Sequence, residues 1–343
     1  MKIRGPHHEE DGADWDSYVA SQTSSSNYHL YGWREVIEKS FGHKTYYLAA
    51  RKDDSEICGI LPLVHMKSML FGNFMVSMPF FNYGGMICGN ENAADLLVAE
   101  SRHILADKHA DYAEFRHVEC SMDAETKQHK VSMILDLQGN VDEQWKVLGS
   151  KVRNQVRKAE KSGLSVKIGQ SELLDRFYEV FCRNMRDLGT PVYGKKFFQN
   201  ILETFRDTTR IIAVECEGIT IAAGLMIWFR DVLEVPWASS ISDYRDKCPN
   251  NLLYWEAIKF AVSQGAKQFD FGRSTPGEGT YYFKKQWGAK PVPLYWQYLL
   301  EEGHQVPELN PSNPKYGLAI KLWQQLPVQV TKFLGPSIVK NIP

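Results

Sequence analysis

Apolar positions along the first 140 residues follow two rhythms, one helical and one of strand type. Helical spacing covers residues 15–20, 31–40 and 92–109, with Asn92 as the expected N-cap of the third helix. Strand-type runs cover residues 45–51, 57–65, 74–78, 113–118 and 131–137, and Asp53-Asp54-Ser55 should form the turn between the first two. This pattern predicts a mixed α/β domain over residues 1–140.

A similar order of elements returns between residues 141 and 305. Predicted helices at 142–162, 172–188 and 195–205 precede a meander of strands at 209–216, 220–229 and 232–238. A helix at 251–264, a strand at 268–271, a helix at 282–287 and a strand at 294–300 follow. The repeated order predicts an α/β (α+β) fold with two tandem domains, each a mixed twisted sheet flanked by helices.

The two ends of the chain carry weaker signals. Residues 306–343 form a predicted tail with one helix at 316–325 and Pro-rich turns after it, and this helix is too weakly amphipathic to predict an interfacial anchor. No apolar segment of signal-peptide type follows Met1, and the longest central apolar run, 219–229, is too short to span a bilayer. We expect a soluble cytoplasmic protein.

Composition narrows the class of protein. The chain of 343 residues is 43% hydrophobic and 24% charged, which suffices for two packed cores. A net charge of −1 gives no sign of nucleic-acid binding by the whole surface, although a local basic patch remains compatible with it. Six scattered cysteines without a C-x-x-C pair indicate free thiols in a reducing compartment rather than disulfides or a zinc site.

Five short motifs lie in a fixed order between residues 145 and 300. They are KVRNQVRKA (151–159), NMRDLGTPVY (184–193), EVPWASS (234–240), FDFGRS (269–274) and GTYYFKKQWGA (279–289). As an ordered set, and with the element order of a GNAT N-acyltransferase domain, they resemble the FemAB family of non-ribosomal aminoacyltransferases. The resemblance is greatest to the FemAB-like proteins associated with exopolysaccharide and PEP-CTERM (exosortase) systems.

The resemblance implies an amide-forming acyltransferase. Its donor would be aminoacyl-tRNA or another activated acyl group, and its acceptor an amine of a cell-envelope precursor, related to peptidoglycan or exopolysaccharide. A membrane-proximal assembly is a further implied partner, no metal is expected, and the oligomeric state is open. The long helical insertion that forms a tRNA-binding arm in some members has no counterpart here.

Lys284 is the leading candidate for catalysis. Acyl transfer to an amine needs a hydrogen-bond donor for the oxyanion that develops on the carbonyl, and a fixed ammonium can supply it. By resemblance, the pair Phe283-Lys284 is the donor-site signature. The alternative is a surface lysine whose aliphatic stem lies beside Trp287.

Asp270 and Arg273 flank Gly272 at a predicted strand end, where α/β folds open toward ligands. Asp270 is either a base for the amine proton or the ion-pair partner of Arg273. Trp237 and Ser239 end the last strand of the meander, where Trp237 either stacks on a substrate ring or packs in the core.

Other candidate binding residues are cationic or aromatic. Arg186 either clamps a carboxylate or phosphate of the acceptor or is a solvated helix-end cation, and Tyr193 is either a loop ligand or a packed aromatic. Arg153 and Arg157 belong to a basic helix that either grips a phosphate backbone or is a solvated face.

Residues 244–251 occupy the place where acyl-CoA-dependent GNAT enzymes carry a glycine-rich pyrophosphate loop, yet they include no glycine, and Pro249 lacks an N–H. We therefore expect no tight binding of CoA and no cofactor. Two alternatives to the aminoacyltransferase stay open. They are a CoA-dependent N-acetyltransferase acting on an amino-sugar or polysaccharide precursor, and a non-catalytic binding module of envelope assembly.

Overall fold

The computed structural model describes residues 2–4, 10–52, 56–119, 122–306 and 314–343. The turn predicted at Asp53-Asp54-Ser55 and the thiol of Cys120 lie outside these residues. The chain divides into two compact units. The first comprises Met1–His129, Pro293–Leu309 and Lys340–Pro343, and the second comprises Lys130–Val292 and Asn310–Val339.

Strands and helices alternate along both units. In chain order the strands are β1 (Lys2–Arg4), β2 (Lys44–Lys52), β3 (Glu56–Ser68), β4 (Gly72–Val76), β5 (Ile87–Cys88), β6 (Tyr112–His117), β7 (Glu125–Lys127), β8 (Val131–Asp136), β9 (Leu164–Gly169), β10 (Thr209–Cys216), β11 (Ile219–Phe229), β12 (Val232–Ser240), β13 (Gln268–Ser274), β14 (Lys290–Pro293) and β15 (Tyr295–Leu300). The α-helices are α1 (Glu10–Ser21), α2 (Gly32–Phe41), α3 (Glu91–Lys108), α4 (Val141–Val147), α5 (Ser150–Lys161), α6 (Leu174–Leu188), α7 (Lys195–Thr204), α8 (Pro249–Ser263), α9 (Gly279–Lys285), α10 (Pro314–Gln325) and α11 (Val328–Val339).

The two sheets share one plan. The first runs β1-β2-β3-β4-β6-β15-β7, with β5 on β3, and the second runs β14-β8-β13-β12-β11-β10-β9. Each contains an antiparallel meander, then a parallel neighbour (β6 beside β4, β13 beside β12), then an antiparallel strand (β15 or β8). The predicted fold class, two mixed sheets flanked by helices, is confirmed.

The compact units differ from the predicted ranges 1–140, 141–305 and 306–343. Strand β8 belongs to the second sheet although it precedes residue 141, because it pairs with β13. Strand β15 belongs to the first sheet, because all six of its residues pair antiparallel with β6. Hydrophobic patterning marks a strand but carries no information on which sheet the strand joins.

Local chemistry explains where several elements begin and end. The side chain of Asn90, rather than Asn92, caps α3 and accepts a hydrogen bond from Ala93 N at 2.9 Å. The helix predicted at 142–162 is two helices, because Leu148 adopts extended backbone angles between α4 and α5. The tail carries a second helix, α11, that replaces the predicted turns and continues through Pro336.

Each unit has its own apolar core. In the second, the inward faces of β10–β13 and β8 pack against α5, α8 and Trp287. In the first, β2, β3 and β6 pack against α3. Within the described parts of the chain, no helix is long and apolar enough to cross a membrane. The five described cysteines are free thiols.

Candidate active site

The sheet of the second unit opens between β12 and β13. Three residue pairs join these parallel strands, and the last of them is Glu234 with Asp270. Beyond this pair β12 continues against β11 to Ser240, whereas β13 continues against β8 to Ser274. The gap between the carboxyl ends of β12 and β13, here called the wedge, is the kind of crevice in which α/β sheets bind ligands.

A β-bulge in each strand accompanies the separation. In β12, the segment from Glu234 to Trp237 has one residue more than the segment of β11 with which it pairs. In β13, the segment from Asp270 to Arg273 likewise has one residue more than its partner segment of β8. Gly272, inside the second bulge, has a φ of +74°, a left-handed conformation that glycine adopts without a steric penalty. Bulges of this kind re-aim backbone groups and are frequent beside active sites.

Lys284 reaches the bulge of β13 from the short helix α9. Its side chain is buried, with 8% of its surface exposed, and Nζ donates to the carbonyl oxygens of Gly272 at 3.0 Å and Arg273 at 2.8 Å. An ammonium has three N–H donors, so these two contacts leave one for another acceptor. The geometry thus argues against the alternative of a surface lysine lying beside Trp287.

Burial makes the Lys284 ammonium less stable than an exposed one. Desolvation lowers the pKa of Lys284 to about 8, while the charges of Asp270 and Glu234 raise it and the charge of Arg273 lowers it. The pKa of Lys130 is also lowered, first by burial and then by the charge of Arg273. A strongly shifted pKa in a crevice is a physical sign of a functional group.

Asp270 is fully buried, and its carboxylate accepts hydrogen bonds within its own sheet. Ser132 Oγ donates to both carboxylate oxygens, at 2.8 and 3.0 Å, and Gly272 N donates to Oδ1 at 2.7 Å. These contacts close the bulge and place a negative charge near Lys284. They favour a positioning role for Asp270 over that of a base, and Arg273 lies exposed at the same bulge.

Aromatic side chains line the helix side of this region. Phe283 is half-buried and lies 5.5 Å from Tyr254 and 6.4 Å from Trp287, ring centre to ring centre. Two buried polar atoms, Trp287 Nε1 and Ser274 Oγ, have no hydrogen-bond partner among the described residues. An unsatisfied buried donor is costly, so each is a candidate contact for a bound substrate or water.

Tyr193, Trp237 and Ser239 form a separate group near α6 and α7. Trp237 meets the rings of Phe197 and Phe198 edge-on at 5.5 and 5.3 Å, and Tyr193 lies 6.4 Å from Trp237. These contacts favour the packed-aromatic alternative for both. Ser239 is buried and accepts a hydrogen bond from Asn184 Nδ2 at 3.1 Å.

Arg186 contacts the tail of the chain. Its Nε donates to Asp187 at 2.7 Å and its Nη1 donates to the carbonyl oxygen of Leu326 at 3.0 Å. The guanidinium therefore holds the segment between α10 and α11. This contact differs from both predicted alternatives, a clamp on a bound carboxylate or phosphate and a solvated cation at the helix end.

The basic helix α5 begins near the end of α9. A side-chain carbon on Gly149, the residue before α5, would lie 3.8 Å from the carbonyl oxygen of Gln286. Arg153 is half-buried, and its Nε has no hydrogen-bond partner among the described residues. Arg157 is exposed and lies over the ring of Trp145 at 5.4 Å.

Sequence reasoning missed three residues of this site: Lys130, Ser132 and Glu234. Glu234 had a usable signal, because an acidic residue interrupts an otherwise apolar strand and is buried at 4% exposure. Ser132 and Lys130 had none, since their place beside β13 depends on β8 joining the second sheet. Among the described residues, no group of three or more His, Cys, Asp or Glu side chains is arranged to hold a metal ion.

The family model described as "Acetyltransferase (GNAT) domain" matches residues 149–285. This range runs from the residue before α5 to the end of α9 and contains Asp270, Arg273 and Lys284.

A curated relative, a lipid II:glycine glycyltransferase of Staphylococcus haemolyticus (strain JCSC1435), is 31% identical over 98 residues. The match covers 26% of this chain and 23% of the relative, so the chain spans about a quarter of the length of the protein it matches.

Two solved structures share the fold. The crystal structure of FemX has a TM-score of 0.65 at 17% identity and covers 87% of this chain and 98% of its own. A tandem GNAT protein from the clavulanic acid biosynthesis pathway has a TM-score of 0.56 at 9% identity, with coverage of 89% and 99%. At these identities the likeness concerns the fold of both sheets.

Proposed function

We propose that this chain, which has a FemAB-like GNAT fold, is an amide-forming acyltransferase that moves an aminoacyl group to an amine of a cell-envelope precursor. The observation that carries the proposal is the Lys284 ammonium, buried at an open wedge with two of its three N–H donors engaged by acceptors among the described residues. The glycyl transfer named for the staphylococcal relative supports a peptidoglycan precursor as the acceptor.

The reaction needs little chemistry from the protein. The lone pair of the acceptor amine attacks the carbonyl carbon of an aminoacyl ester, and the carbonyl π electrons move onto oxygen. Lys284 Nζ donates a hydrogen bond to this oxyanion. When the oxyanion collapses, the C–O bond to the donor breaks, and the departing oxygen takes the proton that the new amide nitrogen loses. Atoms and charge balance without a cofactor.

The surrounding residues prepare the lysine rather than react. Asp270 and Ser132 close the bulge of β13, which presents the two carbonyl oxygens that orient Nζ. Glu234 and Asp270 favour the charged form of Lys284 against desolvation. In this scheme Asp270 is a positioning residue, and Phe283 packs with Tyr254 and Trp287 beside the lysine in sequence.

The donor is proposed to be aminoacyl-tRNA. The basic helix α5, with Arg153 and Arg157, supplies cations near α9 for a phosphate backbone. The segment that precedes α8 argues against acyl-CoA. It contains no glycine, Cys248 takes a left-handed conformation there, and Pro249 begins the helix without an N–H. Because charged tRNA is a cytoplasmic molecule, the proposal also places the chain in the cytoplasm.

Donor binding separates this proposal from its rivals. We would measure retention of glycyl-tRNA on filters at two salt concentrations, and the heat of acetyl-CoA binding by calorimetry. Salt-sensitive retention of tRNA with no CoA heat is expected, and transfer of labelled glycine to an amine-bearing peptidoglycan precursor should follow. Exchanging Arg153 and Arg157 for Gln should weaken tRNA retention and reduce its salt dependence.

Other results of these measurements would support one of the two alternative functions. Tight CoA binding without tRNA retention would replace the proposal with a CoA-dependent N-acetyltransferase acting on an amino-sugar or polysaccharide precursor. Precursor binding without transfer from either donor would leave a non-catalytic module of envelope assembly.

A further inference from the structure

The tail helices α10 and α11 are fixed to the second unit along α6. Gln324 Nε2 donates to the carbonyl oxygen of Asp187 at 3.0 Å, and Ile320 lies against Gly189 at the end of α6. In α11, Lys332 pairs with Glu179 and lies over the ring of Tyr178 at 5.6 Å. Both helices therefore have a defined inner face.

The inner face of α11 is closely packed. Thr331, Gly335 and Val339, spaced one turn apart, are the buried residues of the helix. A side-chain carbon on Gly335 would lie 2.8 Å from Val192 N, so only glycine permits this approach. Such packing shows that the orientation of α11 about its axis is set by the fold.

The outer faces of both helices are apolar and exposed. Leu318 and Leu322 lie one turn apart on α10, across the helix from Ile320, with 70% and 57% of their surfaces exposed. Val330, Phe333 and Leu334 share a stripe on α11, and Phe333 is 82% exposed. Of the thirteen exposed large apolar side chains in the described chain, these five lie in two consecutive short helices. Exposed apolar side chains concentrated in this way mark an interaction site.

The charge of the tail indicates which kind of partner binds its exposed apolar surface. Residues 314–343 contain four lysines, at 315, 321, 332 and 340, and no aspartate or glutamate, whereas the whole chain has a net charge of −1. Lys332 is paired with Glu179, whereas Lys321 is exposed and precedes Leu322. An apolar face with such a cation, in a segment without acidic residues, is complementary to an anionic lipid surface. A second copy of this chain would bring the same cations together, so self-association gains nothing from this charge.

We propose that the outer faces of α10 and α11 dock on the anionic surface of a lipid bilayer, with Leu318, Leu322 and Phe333 inserted among the acyl chains. The helices lie in the interface, since no described helix is long enough to cross a membrane. Docking involves no acyl transfer, so this proposal can be tested independently of the proposed function.

Vesicle sedimentation of the full chain tests the proposal. The probes are vesicles of phosphatidylcholine alone and of phosphatidylcholine with phosphatidylglycerol, each at low and high salt. We expect binding to the anionic vesicles that weakens with salt. The double variant Leu322→Glu with Phe333→Glu should lower the partition coefficient at least about tenfold, and Lys321→Glu about fivefold at low salt.

Matched controls keep the test specific. Met69 and Leu70, in the first unit, are 104% and 87% exposed, so Met69→Glu with Leu70→Glu removes as much exposed apolar surface elsewhere and should leave binding unchanged. The tail variants change outward side chains, and unaltered circular dichroism and thermal melting would show that they fold.

Three outcomes would overturn the proposal. The first is failure of the wild-type chain to bind anionic vesicles. The second is equal binding by the wild type and the Leu322→Glu, Phe333→Glu variant. The third is a dimer in analytical ultracentrifugation that this double variant makes monomeric, without vesicle binding, which would assign the face to a second copy of the chain.

Discussion

The two sheets place a buried acid at the same point and use it differently. In the first unit the parallel pair of β4 and β6 ends at Val76 with Glu114, and in the second the pair of β12 and β13 ends at Glu234 with Asp270. Each acid lies near a buried cation, Arg116 or Lys284. The units differ in what happens beyond that point.

The first unit fills its own wedge. Ser77 N donates to the carbonyl oxygen of Glu114 at 2.8 Å, and the N–H groups of Gly84 and Gly85 donate to the carbonyl oxygen of Arg116. Arg116 in turn donates to Glu114 at 2.7 Å and to the carbonyl oxygen of Phe81 at 2.8 Å. The loop after β4 thus occupies the space that the second unit leaves open.

This contrast supports the proposal of a site in the second unit rather than in the first. Arg116 is neutralised by Glu114 and lies 4.4 Å from the ring of Trp296, so its interactions are satisfied by the protein. Lys284 has two carbonyl partners and a pKa lowered to about 8 by burial. The first arrangement stabilises its unit, whereas the second keeps a charged donor at some cost in stability.

The largest effect is expected from Arg116→Met. Removing this cation leaves the Glu114 carboxylate buried at 5% exposure, with Tyr298 as its one further side-chain donor among the residues that the structure describes. We expect the free energy of unfolding of the first unit to fall by about 3–5 kcal/mol. Urea unfolding followed by circular dichroism measures it, and Arg102→Met, on exposed surface of α3, is the control. An unchanged unfolding midpoint would show that the closed wedge is not stabilised by this pair.

Acid should weaken the first unit next. Burial lowers the pKa of His29 and of His117 to about 4, from 6.5 in an unfolded chain. Between these values the unfolded state binds more protons, so stability is lost as the pH falls through this window. By pH 5 the loss should reach about 2 kcal/mol per histidine. A midpoint of unfolding that does not change between pH 7 and pH 5 would contradict it.

A smaller effect is expected from Lys284→Met on stability. The folded pKa of about 8 lies below the unfolded value of 10.5, so wild-type stability from this group rises as the pH increases through 8. The variant should be at least as stable as the wild type at pH 7, and its advantage should shrink by about 1 kcal/mol by pH 9. Lys285→Met, at an exposed neighbour, should show no such trend. If the free energy of unfolding of the variant differs from that of the wild type by the same amount at pH 7 and at pH 9, the lysine is not desolvated.

The sequence predicted the positions of helices and strands better than it predicted which strands pair with one another. The meander at 209–216, 220–229 and 232–238 agrees with β10–β12 within two residues, because alternation and turn residues are local signals. Which sheet β8 and β15 join depends on pairing over long distances, and this left Ser132 and Lys130 unrecognised. The motif around Lys284 pointed to the residue, but its burial depends on a bulge that only the register of β13 with β8 reveals.

We propose that the open wedge of the second unit is the transfer site and that Lys284 is its oxyanion donor. The most direct measurement is kcat for acyl transfer by the Lys284→Met and Lys285→Met variants, each shown to be folded and to bind donor as the wild type does. We expect a loss of about 10²–10³ in kcat for Lys284→Met and a value near wild type for Lys285→Met. Wild-type kcat in Lys284→Met would contradict it.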